Sequence, residues 1–291
     1  MPFMRDWIII TNKPGQLGNQ LALFAHFIAF SADRNVRLLH TAFNDYAEFF
    51  LPANYPWVSS FHQPHIGKFN RVVGKIIFSA FRLAARLFRR FNVGNRLFRV
   101  VYLDWHEKID LDQISSFNST FCLLDGWNFR GKKIAQVNRQ IILDYFRPNA
   151  SYQSQIDKFT GMMRKEGRVL IGIHIRQGDY REFMEGKYFY TIEQYLILLS
   201  YLTEAFDDSK LRFAIFSNVH YPVSNFDGFD CVVSSEPAMV DLYCMAACDY
   251  IVGPPSTFSS WASFYGNVPI YFVTDPSRKV ERRDFQVIEV P

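Results

Sequence analysis

The hydrophobic pattern of this chain is a series of short apolar runs, most followed by a longer stretch of helical period. Ile8 to Thr11 close a short strand, Asn12 to Gln20 form a glycine-bearing turn, and Leu21, Phe24, Ala25, Phe27 and Ile28 recur at the spacing of a helix face. Leu123 to Phe129 reads as a strand whose polar end presents Asp125, Trp127 and Asn128. Ile134 to Tyr145 reads as a helix that Phe146-Arg-Pro-Asn149 breaks. The most continuous apolar run, the first half of Arg168 to Tyr180, is rich in β-branched residues, the habit of a strand covered on both faces. Beyond it the pattern predicts a helix over Thr191 to Phe206 and strands over Leu211 to Ser217 and Asp230 to Ser234. A helix over Ala238 to Ala247 and a strand over Tyr250 to Gly253 follow. Strands alternating with helices of this length specify right-handed crossovers and a parallel sheet. The expected fold class is α/β, with two Rossmann-type doubly wound domains, residues 1–148 and 149–291.

Chemistry concentrates where the predicted strands end. His174 and Arg176 lie two apart, so on an extended chain they project from one face, and Gly178 lets the backbone turn before Asp179 and Tyr180. A cation and a carboxylate therefore meet at the carboxyl end of a buried strand, where open α/β sheets bind ligands. The same residues also suit a plain strand end, with Arg176 and Asp179 as a structural ion pair. Gly15 to Gln20 opens a helix after a strand and exposes backbone amides to an anion, although such turns are also frequent in ordinary βα loops. After Gly253, Ser256 caps a helix beneath a Pro-Pro turn. The hydroxyls of Ser256, Thr257 and Ser259 offer donors to phosphate or ribose, or simply to the cap. No Gly-x-Gly-x-x-Gly occurs, so nothing supports a dinucleotide cofactor.

With 49% hydrophobic residues, 30 Phe and 15 Tyr, the chain can bury a full core and still leave aromatic rings for sugars, a partner or lipid. The formal charge of +4 conceals segregation. Phe49 to Leu103 contains no acidic residue, Lys68 to Arg99 carries nine basic ones, and the remainder is net acidic. At 100° per residue, Lys68, Arg71, Lys75, Arg82, Arg86, Arg89 and Arg90 fall within about 100° of arc. Phe69, Val73, Ile76, Ile77, Phe81, Ala84, Leu87 and Phe88 fill the other side. Such a basic amphipathic helix suits the interface of an anionic membrane, or a surface helix docked on its own domain. Nucleic acid is a poorer partner, since the rest of the chain is acidic and shows no nucleic-acid-binding module. The amino terminus has too few apolar residues for a signal peptide or spanning anchor. Cys122, Cys231, Cys244 and Cys248 have neither Cys-x-x-Cys spacing nor a zinc ligand set. The expected setting is reducing and cytoplasmic, peripheral at the inner face of a membrane.

Three stretches, in order, resemble the signatures of GDP-fucose-dependent fucosyltransferases. His174-Ile-Arg-Gln-Gly-Asp-Tyr180 is similar to their His-x-Arg-Arg-Gly-Asp, with Gln177 in place of the second Arg of the α1,2 enzymes. Gly15-Gln-Leu-Gly-Asn-Gln20 is similar to their amino-terminal Gly-x-x-Gly-Asn-Gln. Asp241-Leu-Tyr-Cys-Met-Ala-Ala-Cys248, followed by a strand and Ser256-Thr-Phe-Ser-Ser-Trp261, is similar to their last motif. Gly126-Trp-Asn128 resembles a further segment, whereas their Phe-Ser-Asp-Asp stands here as Phe216-Ser-Asn-Val219, a departure that bears on the donor's base or sugar.

The likeness is nearest to the bacterial α1,2-fucosyltransferases and implies a GT-B-like pair of domains. It implies inverting, metal-independent transfer of L-fucose from GDP-fucose to a glycan hydroxyl, and the membrane setting of the basic helix suits an acceptor glycan held on a lipid carrier. Within it, Arg176 contacts the β-phosphate and takes up charge as GDP departs, and His174, Asp179, Gln177 and Asn218 belong to the donor pocket. Asp241 with Ser256, Thr257, Phe258 and Ser259 hold the nucleoside and phosphates. Gly15, Gly18, Asn19 and Gln20 are substrate-binding, while Asp125 and Trp127 suit a sugar acceptor. Glu182 or Glu185, after the Asp179 turn, or Asp125 offers a general base, and a dissociative transition state needs none. No cofactor beyond the donor is implied, since a guanidinium can do the work of a cation. Asp110-Leu-Asp112 mimics the Asp-x-Asp of metal-dependent glycosyltransferases, but Leu111 and Ile114 mark a surface helix start. Transfer of another GDP-linked deoxysugar, or carbohydrate binding without catalysis, stays open through the departures at Gln177 and Asn218.

Overall fold

In both halves of the chain the short apolar runs form parallel strands and the stretches of helical period cover them. A computed structural model describes residues 6–51, 55, 57–59, 67–92, 94–207 and 210–290. The first five residues of the amino terminus, expected to lack a leader, lie outside these, as do the side chains of Lys68, Phe69 and Arg71. Two compact units result, Met1–Ala150 and Ser151–Glu289.

The first unit carries β1 (Trp7–Ile10), β2 (Arg37–His40), β3 (Val58–Ser59), β4 (Phe98–Tyr102), β5 (Ile109–Asp110), β6 (Phe121–Asp125) and β7 (Phe129–Arg130). Five of them form a parallel sheet in the order β3-β2-β1-β6-β4, and β5 pairs with β7. Its helices are α1 (Leu17–Arg34), α2 (Gly67–Arg90), α3 (Lys132–Val137) and α4 (Arg139–Tyr145). Helix α1 is buried nearly throughout and stops at Asn35, whose φ of 56° lets its N–H reach back to the Ser31 carbonyl. The Phe excess goes largely into this core. Phe24 meets His40, Phe43, Tyr145 and Phe146 at centroid distances of 4.7 to 5.7 Å, mostly edge-on as ring quadrupoles prefer.

Three expectations change here. The single helix over Ile134 to Tyr145 is two, because Asn138 adopts φ −98° and ψ 19° and its side-chain amide donates to the Ile134 carbonyl at 3.0 Å. Asp110-Leu-Asp112 is not the start of an α-helix. It forms a single 3-10 turn whose Asp112 carboxylate accepts from the Lys133 and Ile134 amides, both at 2.9 Å, and so caps α3. Helix α2 docks on β4 and β6, with Ala85 buried and Phe88 against Phe98 at 5.6 Å. Ile76 and Leu87 share the apolar side of the helical wheel with the docked residues yet are exposed, so only part of that side covers the sheet.

In the second unit α5 (Ala150–Met163) precedes β8 (Val169–Ile175), α6 (Ile192–Ala205), β9 (Leu211–Ser217), β10 (Cys231–Val233), α7 (Ala238–Met245), β11 (Tyr250–Gly253), α8 (Thr257–Gly266) and β12 (Ile270–Phe272). All five strands are parallel in the order β10-β9-β8-β11-β12. The chain winds outward from β8 to β10, then crosses back to β11 and β12, so the strand order reverses between β8 and β11. Thr191 and Gln194 close a capping box at α6.

Close approach of β8 and β11 depends on Gly253. A Cβ there would lie 2.8 Å from His174 Cβ and 2.9 Å from the His174 carbonyl oxygen. Gly253→Ala is expected to cost about 1–3 kcal/mol, because neither contact is the end of a flexible side chain. Urea denaturation reads this directly, and an unchanged midpoint would show that the strands part freely.

Candidate functional site

The reversal in strand order sets the turn after β8 beside the turn after β11, the crevice where doubly wound sheets take ligands. At the end of β8, Arg176 Nη2 donates to Asp179 Oδ2 at 2.7 Å, and the guanidinium carbon lies 5.4 Å from the Tyr180 ring centroid. The cation is thereby aimed from two directions. Gly178 takes a φ of 62°, and the turn it makes is held from three neighbours. Asn218, just past β9, accepts from the Gln177 N–H at 2.8 Å and donates to the Gln177 carbonyl at 3.0 Å. Gln177 Nε2 donates to the Tyr190 carbonyl at 2.8 Å, and the Tyr180 hydroxyl to the Pro255 carbonyl at 3.0 Å. Of the residues expected in the donor pocket, Gln177 and Asn218 therefore act on the protein's own backbone.

His174 is buried with its ring 5.3 Å from that of Phe258. Burial, with the Arg176 charge beside it, pushes the imidazole down to about 3, so His174 is neutral near pH 7. Its Nδ1 has no partner among the described residues. At the start of α8, Ser256 Oγ accepts from the Phe258 amide at 3.2 Å, confirming the expected cap. Ser259 is fully buried and its hydroxyl donates back to the Ser256 carbonyl at 3.3 Å, whereas Thr257 and Phe258 are half-buried. Asp241, in the first turn of α7, is buried and accepts from the Ser234 hydroxyl. Burial pushes its carboxyl up to about 7, with the Ser234 hydrogen bond opposing. Glu182 and Glu185 are exposed. Met184, Glu185 and Gly186 all have positive φ, at 50°, 59° and 75°, a strained path for the first two.

The remaining candidates lie in the first unit, after β1 and β6, the strands between which its own order reverses. Gly15 has φ 48°, and a Cβ there would come 2.4 Å from Asn19 Nδ2. Gly18, Asn19 and Gln20 form the first turn of α1, and Gln20 Nε2 donates to the Gly15 carbonyl at 3.2 Å. Asp125 ends β6 half-buried. Trp127 is flanked by Trp105 at 5.0 Å and by the Arg130 guanidinium at 5.1 Å, and its indole nitrogen is buried without a partner among the described residues. Sequence reasoning passed over Trp105, which is 64% exposed just past β4. The available signal was one indole in the charged run Asp104-Trp-His-Glu-Lys108. Tyr180 was legible as the end of the His174 motif, whereas Tyr190, whose carbonyl holds the β8 turn, gave no signal at all.

Neither a protein-family model nor a curated protein sequence matches this chain. Solved structures do. A variant of Arabidopsis thaliana FUT1 in complex with GDP aligns over 97% of this chain and 72% of its own, at 12% identity and a TM-score of 0.61. The fucosyltransferase NodZ from Bradyrhizobium aligns over 99% and 100%, at 14% identity and a TM-score of 0.57. POFUT1 in complex with GDP aligns over 89% and 94%, at 13% identity and a TM-score of 0.52. At such identities the likeness is one of fold, and it extends along nearly the whole chain. The expected GT-B-like fold of two Rossmann-type units is therefore the fold of this protein.

The raised Asp241 carboxyl makes stability pH-dependent. A folded-state value of about 7 against an ordinary value of 3.8 means the fold favours the protonated acid. That contribution is complete below the unfolded value and is lost as pH rises through about 7. The urea midpoint is expected to fall between about pH 4 and pH 7 and to level off above that, and Asp241→Asn to flatten the fall. An identical slope in both proteins would overturn the assignment.

Proposed function

We propose that this protein transfers L-fucose from GDP-fucose to a glycan hydroxyl, with inversion, through an α1,2 linkage and without a metal. The observation that carries the reading is the aimed Arg176 guanidinium at the carboxyl end of β8, on the strand-order reversal of a fold shared with GDP-complexed fucosyltransferases. NodZ has been soaked with GDP-fucose, and FUT1 and POFUT1 bind GDP. The three motif resemblances add the sugar.

In this reading an acceptor oxygen forms the new bond to fucose C1 while the bond from C1 to the β-phosphate oxygen breaks, and GDP leaves with the electron pair. Arg176 meets the charge that grows on the β-phosphate. A permanent guanidinium with paired donors stabilises that charge without a divalent ion. Amides at the first turn of α8 and the half-buried Thr257 add donors to the phosphates. Asp241 faces the nucleoside, and Asp179 fixes Arg176. Glu182 or Glu185, on the exposed turn that follows, takes the acceptor's proton. In the first unit, Gly15 to Gln20, Asp125 and the Trp105–Trp127 pair serve the acceptor. We place the reaction at an anionic membrane surface in the cytoplasm, with a lipid-linked glycan as acceptor, on the strength of the segregated basic charge.

Arg176→Ala is expected to lower fucosyl transfer by roughly 10² or more, with incomplete rescue by Lys, since a charge-assisted contact present mainly in the transition state is lost. Radiolabelled GDP-fucose, run with GDP-linked competitor sugars and in excess chelator, measures this. Near-normal turnover of the variant removes the phosphate role, and a strict Mn²⁺ or Mg²⁺ requirement removes the metal-free mechanism. In the same assay, Glu182→Gln and Glu185→Gln are expected to alter the acid limb of kcat.

Trp105→Ala is expected to raise the acceptor KM by roughly tenfold, about what a lost aromatic stack is worth, while slow hydrolysis of GDP-fucose persists. Loss of both activities together would assign Trp105 to the fold instead.

A further inference from the structure

We propose that α2 lies in the interface of an anionic bilayer, and that it meets lipid through an aliphatic row separate from the one that holds it to its own unit. The helix runs for 24 residues without an acidic side chain. One side is spent on the protein. Gly74 and Ala85 are buried, Val73, Ile77, Phe81 and Ala84 are half-buried, and Phe88 packs on Phe98. A second row, Val72, Ile76, Leu83 and Leu87, remains 57%, 62%, 56% and 44% exposed. At 100° per residue these four span about 60° of arc, and their centre lies roughly 130° from that of the docked side. Lys75, Arg82, Arg86 and Arg90 are exposed and occupy the adjoining arc of about 80°. Arg89 is placed otherwise, its guanidinium 3.3 Å from the Tyr102 ring centroid.

Four large aliphatic side chains in line serve no purpose in the unit's own core, and the bases beside them dictate what covers them. A soluble partner would need an apolar groove edged with acids along the whole row. A bilayer supplies both layers at once, acyl chains at the headgroup boundary for the aliphatic row and lipid phosphates for the basic one. No described helix is long and apolar enough to cross a membrane, so α2 is an element that lies flat. Phe91, 70% exposed just past the helix, extends the apolar edge.

The test is cosedimentation of the full chain with phosphatidylcholine vesicles, with and without roughly three parts in ten phosphatidylserine. Binding is expected to the anionic vesicles only and to weaken as salt rises. Arg82→Glu with Arg86→Glu is expected to lower the partition coefficient by roughly 30-fold or more, at about 1 kcal/mol per basic residue. Ile76→Glu with Leu83→Glu is expected to abolish binding with all charges in place, and Ile76→Ser with Leu83→Ser to weaken it. Thermal midpoints within the wild-type range show that these exposed substitutions leave the fold intact. The readout is independent of sugar transfer, so a failed fucosylation assay leaves it standing. Equal binding to neutral vesicles, or binding that survives the Ile76 and Leu83 changes, overturns the proposal. So does light scattering that shows Leu83→Glu converting a dimer to a monomer while vesicle binding is unchanged.

Discussion

The amide of Asn218, bonded in both directions to the backbone of Gln177, is the constraint on which the second unit's site depends. A parallel strand ends in an unpaired edge, and the chain beyond it is free to fray unless something returns its hydrogen bonds. Here β9 lends one side chain to the first peptide after β8, and Gly178 can then turn with φ 62° at a fixed place. Everything polar follows from that turn. Asp179 comes back against Arg176, and Tyr180 crosses to the β11 loop at Pro255. The ion pair contributes little stability, since Asp179 is 52% exposed and exposed pairs are worth at most about 1 kcal/mol. Its effect is directional, because it narrows the rotamers of a long side chain before any ligand arrives.

The first unit solves a different problem. Its core is built from rings packed edge-on around α1, so the sheet needs less from the helix on which the chain's basic charge is concentrated. Helix α2 can therefore dock through small and half-buried positions, with Gly74 and Ala85 the deepest, and keep two rows of its surface for other use. A helix anchored by its longest aliphatic side chains would have no such surplus.

Strand identity was legible for β8 to β11 because each is an apolar run bounded by polar turns, and Leu211 to Ser217 and Tyr250 to Gly253 match residue for residue, whereas the edge strand β12 was not read. The placement of Arg176 and Asp179 at a strand end was legible for the same reason. What periodicity could not convey was competition for hydrogen bonds. Asn138 breaks a helix with its own side chain, Asp112 abandons a metal-like spacing to cap α3, and Asn218 turns inward. Each is a short polar residue whose partner is a main-chain group set by the tertiary fold. The split of the α2 face was hidden too, since a helical wheel gives angles around an axis and not which arc the sheet will cover.

Burial also sorts the charges of the site. His174, two residues from Arg176 on the same strand face, is driven neutral by its surroundings, and Asp241 is held near the point where it gives up its own charge. Guanidinium alone resists this, because its ordinary value lies far above the working range and its charge is spread over three nitrogens. Arg176 sits only 17% exposed at the strand end, where its guanidinium presents a rigid fork of donors. A lysine at the same depth would be pulled toward neutrality by the desolvation that silences His174. The choice of arginine at position 176 is thus set by the depth of the strand end as much as by the geometry of any phosphate it meets.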